Sequence, residues 1–260
     1  MTESYTPGHS HNASAFMAQR TLESHGRFFI PHLKPGLRVL DCGCGPGSIT
    51  LGIASSCSPG VVIGVDAATT QIEQAIRAAT RAAVGNVRFE VASCYSLPFA
   101  DSTFDRVLSH ALLEHLADPI DALREFFRVL TPGGIVGVCS PDWGGFLVSP
   151  ESPELSDALH AYTDLQTSNG GDVTVGRRLG TYLATAGFVS IQISARYECY
   201  ASPQFIGEYL ALRLEREGAA AHSQAIREWA GKPGALFAQA WVSAVGTKQG
   251  REHERNRLEV

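Results

Sequence analysis

The sequence lacks a surplus of positive charge. Its 260 residues include 21 Lys and Arg against 26 Asp and Glu, which gives a formal net charge of −5 at pH 7. Because a dedicated nucleic-acid-binding domain usually carries a basic surplus, we expect no nucleic-acid partner. The 6 cysteines and 13 prolines are too few for a small disulfide scaffold or a collagen-like chain. With 44% hydrophobic residues, a chain of this length buries a full core without disulfide or metal staples.

Long hydrophobic runs are also missing. The longest stretch without a charge, residues 42–65, contains Pro46 and Pro59 and cannot form one membrane-spanning helix. The first ten residues are polar and lack the apolar core of a signal peptide. The cysteines form no repeated C-x-x-C pair, so reduced thiols are expected. These absences predict a cytoplasmic protein with no membrane partner. They leave the oligomeric state open, a homodimer included.

Short apolar runs alternate with helical patterns along the chain. Thr70 and Glu73 fit a capping box at a helix start, and Asp118 with Pro119 fits an N-cap followed by proline. Strands are predicted at 37–41, 61–66, 87–91, 105–109, 135–139, 190–200 and 240–247. Helices are predicted near 47–55, 70–83, 119–130, 177–186 and 203–230, with a loop and a short helix at 143–175.

This alternation predicts the fold. Strands that alternate with helices form a parallel sheet covered on both faces. We therefore expect an α/β fold with a doubly wound, Rossmann-like, mostly parallel seven-stranded sheet. Helices should cover both faces, and the N-terminus and late insertions should form a helical cap. No repeat or low-complexity linker divides the chain, so residues 1–260 are expected to form one domain.

A glycine-rich turn follows the first predicted strand. Gly43, Gly45 and Gly47 lack a Cβ, so the backbone can approach a ligand closely. In a doubly wound sheet, ligands bind beyond the carboxyl ends of the strands. The dinucleotide pattern G-x-G-x-x-G fails here because residue 48 is Ser. The carboxylate of Asp41, just before the turn, would repel a pyrophosphate but can accept hydrogen bonds from an ammonium group.

Asp66 ends the second predicted strand. An acidic residue at this place can accept hydrogen bonds from both hydroxyls of a ribose. Together with the glycine turn, it predicts a ligand that has a ribose, a purine and a cationic amino-acid portion, and no phosphate.

Five segments occur in the order and spacing of a known enzyme family. They are residues 39–47, 62–66, 89–105, 110–119 and 128–135. Together they resemble the motifs of the class I S-adenosylmethionine-dependent methyltransferases, and most of all the small-molecule branch that includes the quinone-biosynthesis C-methyltransferases. The resemblance implies S-adenosyl-L-methionine as cofactor. It also implies a cap helix in residues 1–35, a cofactor-binding core in 36–140, and substrate-cap segments with the last strands in 141–250.

The resemblance implies roles for individual residues. The methionine portion would meet Asp41, Gly43, Gly45 and His110, the ribose Asp66, the adenine face Ala67 and Ile72, and the adenine edge Ser93 and Cys94, with Gly47 completing the turn. Arg20 would either bind the cofactor carboxylate or lie on a solvated helix face. Tyr5 belongs to a segment that closes over the cofactor in some relatives. Many relatives carry Asp where Ser93 stands, and a hydroxyl implies a weaker or water-mediated contact.

The expected reaction is methyl transfer to a small organic acceptor, either a secondary metabolite or a quinone-like molecule. His115 is the predicted general base because imidazole titrates near neutral pH, and His110, His9 and Tyr5 are its rivals. The aromatic residues Trp143, Tyr162 and Tyr197 are candidates for the acceptor pocket, although core packing explains them equally well. A wide apolar cavity would indicate an aromatic or lipid-like acceptor, and a tight polar one a metabolite.

Two other functions and a metal site are weighed against methyl transfer. A relative that keeps the cofactor but catalyses cyclisation or isomerisation would share every motif. A nicotinamide-dependent oxidoreductase is disfavoured by Ser48, which stands where the third fingerprint glycine belongs. A metal site is not expected, because Cys42 and Cys44 have no further ligands at zinc spacing.

Overall fold

A seven-stranded sheet organises the protein. The computed structural model describes residues 5–6, 8, 11–200 and 202–250, with residues 11–13 by their backbone alone. The strands are β1 (Val39–Cys42), β2 (Val62–Asp66), β3 (Val87–Val91), β4 (Phe104–His110), β5 (Leu130–Ser149), β6 (Val189–Cys199) and β7 (Leu236–Thr247). Their order across the sheet is β3-β2-β1-β4-β5-β7-β6. β7 pairs antiparallel with both neighbours and the other pairs are parallel, which confirms the predicted fold class.

Helices flank this sheet. They are α1 (His11–Ala18), α2 (Ser48–Cys57), α3 (Thr69–Ala82), α4 (Pro119–Val129), α5 (Pro153–Ser168), α6 (Leu179–Thr185), α7 (Pro203–Arg216) and α8 (Ala220–Ala230). Short 3₁₀ helices span Arg27–His32, Leu113–His115 and Val175–Arg178. None of the helices in the described ranges has the length and apolar content needed to span a membrane.

The sheet reverses its strand order beside β1. Val39 of β1 pairs with Val62 of β2 on one side and with Arg106 of β4 on the other. Every residue of β1 is buried, so apolar packing fixes the strand from both faces. A crevice opens beyond the carboxyl ends of parallel strands where the order reverses, and this places a ligand site at the end of β1.

Local signals fix two helix starts in different ways. The Asp118 carboxylate accepts a hydrogen bond from the backbone N of Asp121 at 3.1 Å, and Pro119 opens α4, as predicted. The predicted capping box at Thr70 is wrong. Helix α3 begins at Thr69, so its N-cap is Ala68, two residues before the predicted one, and Ala68 makes no side-chain cap. The Asp66 carboxylate takes the backbone N of Ala68 at 2.9 Å instead.

Beyond β4 the chain is more regular than predicted. β5 continues to Ser149 through a register shift between Asp142 and Leu147, where a loop was expected. α5 is 16 residues long, not a short helix. The N-terminal segment holds α1 and the 3₁₀ helix Arg27–His32 rather than one cap helix.

Two apolar regions flank the ligand crevice. The larger lies against the parallel strands and includes Leu40, Val107 and Phe126. The other is rich in aromatic side chains and gathers α1, α5, α7, α8 and the start of β7 around Phe16, Tyr162, Trp229 and Phe237. The crevice is therefore bounded on one side by the sheet and on the other by this aromatic cluster.

Candidate active site

The glycine-rich turn adopts a backbone that favours glycine. Gly43, Gly45 and Gly47 have φ values of 77°, 53° and 83°, in the left-handed region. The backbone N atoms of Gly43 and Cys44 donate to Val65 O at 2.8 and 3.0 Å, which ties the turn to the end of β2. Gly47 is the N-cap of α2. A helix start and two strand ends thus meet at one place.

Asp66 is fixed by the same turn. One carboxylate oxygen, Oδ2, accepts from Gly45 N at 3.0 Å, and the other, Oδ1, accepts from Ala68 N at 2.9 Å. An ionised carboxylate has about four lone-pair sites, so both oxygens keep capacity for further donors. A carboxylate held this way can accept two vicinal hydroxyls without first having to order its side chain.

Asp41 lies beneath the turn and is buried. Its Oδ2 accepts a hydrogen bond from Thr50 Oγ1 at 2.6 Å. Burial raises the pKa of the Asp41 carboxyl to about 7; the Thr50 hydrogen bond opposes this shift, and Asp66 adds to it. A cationic group arriving at this carboxylate would favour its ionised form.

A cavity of about 360 Å³ opens above the turn. Predicted site residues that line it are Tyr5, Arg20, Asp41, Gly43, Gly45, Asp66, Ala67, Ser93, Cys94, His110 and His115. Gly47 and Ile72 are not among its lining residues. Gly47 packs behind the turn, where a Cβ would lie 2.9 Å from that of Ala75. Ile72 is buried in α3, and its neighbour Gln71 lines the cavity instead.

His110 forms one wall of the cavity. Its ring stacks on the Trp241 ring with centroids 4.9 Å apart, and its Nε2 has no hydrogen-bond partner among the described residues. Burial, reinforced by nearby Arg20, holds the pKa of His110 well below its usual range. The imidazole in this wall of the cavity is therefore neutral at neutral pH.

His115 stands where this cavity meets a second one. The edge of its ring packs against Tyr5, with centroids 4.6 Å apart, and its buried Nδ1 has no partner within the described part of the chain. Burial and then Arg20 lower the pKa of His115 to about 3. The imidazole is therefore neutral at neutral pH. It is a weak base, but its unprotonated nitrogen can accept a hydrogen bond. His9, a rival base, lies outside the described residues.

The second cavity, called here the aromatic chamber, has a volume of about 50 Å³. Its aromatic walls are Tyr5, Phe16, Trp143, Tyr162, Tyr200, Tyr209, Phe237 and Trp241. Trp143 and Tyr162 therefore stand where an acceptor pocket would need them. Tyr197 does not, because its side chain is on the protein surface and 52% exposed. The sequence analysis expected either a wide apolar cavity or a tight polar one. The chamber is small, as expected for a metabolite site, but its walls are aromatic, as expected for a site that binds planar molecules.

Five residues line both cavities and form a shared wall: Tyr5, Met17, Arg20, Ala111 and His115. The Arg20 guanidinium lies 5.4 Å from the centroid of Phe16 and 5.1 Å from that of Trp241. This placement excludes the alternative that Arg20 sits on a solvated helix face. The guanidinium places a positive charge at the boundary of both cavities.

Glu114 is a site residue that the sequence reasoning missed. Its side chain lines the aromatic chamber, is only 2% exposed, and accepts a hydrogen bond from Ser140 Oγ at 2.8 Å. Burial raises the pKa of Glu114 to about 7. A usable signal was present in the sequence, because Glu114 is an acidic residue inside the apolar stretch 111–116, directly after a buried strand.

The cysteines near the turn form no disulfide. None of the six cysteines is disulfide-bonded, and Cys42 and Cys44 are buried. Within residues 5–250, as far as the structure describes them, no three His, Cys, Asp or Glu side chains are grouped as metal ligands would be. Both thiols pack against the turn as small side chains.

Comparison with known proteins identifies the family to which this chain belongs. Residues 33–187 match a family model described as a methyltransferase domain. The chain belongs to this family. An uncharacterised methyltransferase of Schizosaccharomyces pombe is 34% identical to this methyltransferase over 195 residues, covering 72% of this chain and 70% of that protein. The chain is thus a class I S-adenosylmethionine-dependent methyltransferase, as its motifs predicted.

Two further comparisons are informative. Phosphoethanolamine N-methyltransferase 1 of Arabidopsis thaliana is 31% identical over 160 residues, which are 62% of this methyltransferase and 30% of that protein. The crystal structure of the YcgJ protein of Bacillus subtilis superposes with a TM-score of 0.61 at 21% identity, over 93% of this chain and 99% of that one. The second match supports the fold alone.

The residues present fit the cofactor of this family. The larger cavity falls within the roughly 300–1,000 Å³ typical of cofactor sites. Asp66 offers a fixed carboxylate for a ribose, the glycine turn offers backbone without side chains, and the Nε2 of His110 is a buried polar atom that lacks a partner among the described residues. Asp41 and Arg20 offer opposite charges for an amino-acid portion.

Proposed function

We propose that this methyltransferase transfers the methyl group of S-adenosyl-L-methionine to a small organic acceptor whose reacting edge enters the aromatic chamber. One observation carries the proposal: the cavity above the glycine turn and the aromatic chamber share a wall of five residues. A ligand in each would meet at this wall, beside His115. Within small-molecule acceptors, the aromatic walls favour a planar secondary metabolite or a quinone-like molecule.

In this proposal the cofactor is held by residues of both halves of the crevice. Asp66 accepts the ribose hydroxyls, Ala67 lies against the adenine face, and Ser93 and Cys94 meet the adenine edge. Asp41, Gly43, Gly45, His110 and Arg20 surround the methionine portion, and Tyr5 covers it; all of these residues line the cavity. When bound, the cofactor supplies an electrophilic methyl group on a sulfonium. Ile72 and Gly47 support the walls from behind.

The protein's own contribution is mostly positioning. Holding two reactants in line contributes up to ~7–11 kcal/mol to lowering a bimolecular barrier. The shared wall provides that alignment, and the surrounding aromatic side chains exclude water. His115 stays the proposed catalytic residue of this wall. Its neutral imidazole and its Nδ1 atom, for which the described residues provide no partner, suit it to accept a hydrogen bond from the acceptor and orient it.

We also propose that residues 1–260 work as one methyltransferase domain. Residues 36–140 supply the glycine turn, Asp66 and the strand ends of the cofactor cavity. Residues 141–250 supply most of the aromatic chamber, including Trp143, Tyr162 and Trp241. The N-terminal segment contributes Tyr5, Met17 and Arg20 to the shared wall.

Isothermal titration with S-adenosylmethionine tests the cofactor assignment. Asp66→Ala should weaken binding by ~1–3 kcal/mol, because two ribose hydroxyls lose their acceptor. Glu73→Ala, which removes a carboxylate that is 58% exposed on α3, is the matched control and should bind normally. Equal affinities for wild type and Asp66→Ala would remove the ribose assignment.

Product analysis tests the reaction. Methyl transfer forms one S-adenosylhomocysteine for every methylated acceptor. Turnover without S-adenosylhomocysteine would instead assign the protein to cyclisation or isomerisation with a retained cofactor.

A further inference from the structure

We propose that Glu114 binds the acceptor's reacting hydroxyl and removes its proton, and that the acceptor is therefore a neutral phenol or enol. This inference deepens the proposed function and rests on it. It concerns the acceptor end of the site, which no residue from the glycine turn reaches.

Glu114 holds a distinct place in the aromatic chamber. Among the described residues that line the chamber, it carries the only carboxylate and Arg20 carries the only guanidinium. The other polar groups there are neutral amides, hydroxyls and the His115 imidazole. A buried carboxylate is costly unless something uses or compensates it.

The Glu114 carboxylate is oriented yet retains capacity. Oε2 accepts from Ser140 Oγ at 2.8 Å, while Oε1 lies 3.8 Å from His115 Nε2, beyond hydrogen-bond distance. Since a carboxylate offers about four lone-pair sites, Ser140 and the backbone N–H of Glu114 together leave room for a hydroxyl donor. The carboxylate can thus receive a donor without breaking its existing bond.

The backbone of Glu114 is hydrogen-bonded to the acceptor half of the chain, residues 141–250, which supplies most of the aromatic chamber. Its carbonyl O accepts from Gln166 Nε2 at 3.0 Å and from Asp172 N at 2.9 Å. Nearby Ala111, in the shared wall, has a φ of 56°, a left-handed conformation that is strained for a residue with a Cβ. A segment held from two sides and carrying strain is typical of positions where side-chain direction matters for function.

The charges in the chamber favour a hydroxyl over an amine. An amine acceptor enters as an ammonium at neutral pH, and once Glu114 has taken its proton the neutral amine leaves the positive charge of Arg20 without a counter-charge. A phenol or enol enters neutral, and the oxyanion left after proton loss is stabilised by Arg20. The Glu114 and Arg20 pair therefore matches a neutral acceptor that becomes anionic as it reacts.

Protonation of Glu114 is set by the groups that face it. These are Arg20, His115, Tyr5, Tyr209 and Cys139, and Tyr162 lines the same chamber. Burial raises its pKa to about 7, while a hydrogen bond from its own backbone N–H, the Ser140 hydroxyl and Arg20 oppose that rise. A carboxyl with this pKa is a far better proton acceptor than an exposed one.

The proton step balances. The O–H bond of the acceptor breaks, its proton goes to Oε1 of Glu114, and the oxygen keeps the electron pair with which it takes the methyl group. The aromatic chamber is smaller than the roughly 150 Å³ that holds a benzene ring. It therefore admits the hydroxyl-bearing edge of a planar molecule, with the remainder at the shared wall.

The test uses the full chain saturated with S-adenosylhomocysteine and a matched trio of probes. These are 4-chlorophenol, its methyl ether 4-chloroanisole, and 4-chlorobenzylamine, each titrated one pH unit above and one below the Glu114 pKa. In the wild type, 4-chlorophenol should bind about tenfold tighter than 4-chloroanisole above that pKa, because a hydrogen bond to a charged group is gained. This preference should shrink below it.

Variants separate this role from a structural one. Glu114→Gln keeps the shape and an oxygen for Ser140, and it should lose both the preference for the phenol and its pH dependence. Ser140→Ala keeps the carboxylate and should retain the preference. Glu73→Gln, on the exposed face of α3, is the charge-matched control.

Three results would overturn the inference: equal binding of phenol and ether by the wild type, an unchanged preference in Glu114→Gln, or tightest binding of the amine. Normal binding of S-adenosylhomocysteine alongside any of them would leave the proposed function intact. Loss of that binding in the wild type would instead refute the proposed function itself. Circular dichroism of Glu114→Gln checks that the variant is folded.

Discussion

Gly47→Ala is a sharp test of how the glycine turn is built. Gly47 has a φ of 83°, and an added Cβ would lie 2.9 Å from Ala75 Cβ and 3.0 Å from the Phe89 ring. Real Cβ atoms almost never come this close to another heavy atom, so α3 or β3 must shift. The substitution therefore combines a backbone penalty with a steric one.

The two penalties have separable magnitudes. The left-handed backbone costs a residue with a Cβ roughly 1–2 kcal/mol. Forcing an extra methyl into a packed interior typically costs about 1–3 kcal/mol. The expected loss in the free energy of unfolding for Gly47→Ala is thus ~2–5 kcal/mol.

Gly36→Ala is the matched control. Gly36 has a φ of 86°, nearly that of Gly47, and no heavy atom lies within 4 Å of its added Cβ. It should lose only the backbone share, ~1–2 kcal/mol. Urea denaturation measures both losses, provided that the dependence of stability on urea is the same for the variants.

The difference between the variants decides the matter. If Gly47→Ala and Gly36→Ala lose the same stability, the contact with Ala75 and Phe89 places no demand on residue 47. Titration with S-adenosylhomocysteine gives an independent readout. Gly47→Ala should weaken it because the turn moves, and Gly36→Ala should leave it unchanged.

Two further predictions concern a buried carboxylate and a partly buried lysine. Folding raises the Asp41 pKa to about 7, so ionised Asp41 destabilises the folded state increasingly as pH rises from its ordinary value through 7. Asp41→Asn should therefore gain stability relative to wild type between about pH 4 and pH 7, by up to ~1.4 kcal/mol per pH unit in urea denaturation of the cofactor-free protein, and the gain should level off above pH 7. A difference that does not change with pH contradicts this. Lys248 Nζ donates to Phe127 O and Leu130 O, both at 2.7 Å, at the end of α4. Lys248→Met should cost ~1–3 kcal/mol by the same assay, whereas exposed Lys232→Met should cost almost nothing; equal effects would refute the role of these bonds.

The cofactor half of the fold was predictable because its signals are local. Short apolar runs between turns identified β1 to β4, and Asp118 with Pro119 identified the start of α4. The order of glycines and the position of Asp66 predicted which strand ends form the crevice. These features depend on residues within a few positions of each other, so a single sequence contains them.

Features that depend on tertiary contacts were missed. The capping box at Thr70 failed because the Asp66 carboxylate, held by the glycine turn, takes the backbone N of Ala68 first. The family resemblance assigned Ile72 to the cavity, but a resemblance between motifs does not fix which residue of α3 faces the cavity. On α3 it is Gln71 that lines the cavity.

The acceptor half was the least predictable. Gly144 and Gly145 look like a strand break, but β5 passes through them with a register shift and continues to pair with β7. Tyr197 looked like a pocket aromatic, although its side chain points outward from the edge strand β6. Glu114 was passed over in favour of the neighbouring histidine, although an acidic residue within the apolar stretch 111–116 was a signal for a buried functional group.

The long strand β5 has a consequence for how such a site can diversify. Its first half pairs with β4 beside the cofactor cavity, and its second half, beyond Asp142, carries Trp143 into the aromatic chamber. Side chains alternate faces along a strand, so inserting or deleting one residue in the irregular stretch would exchange the faces of everything after it. Acceptor preference can thus be rewritten by a change in length at residues 143–146 while the pairing that supports cofactor binding stays in place.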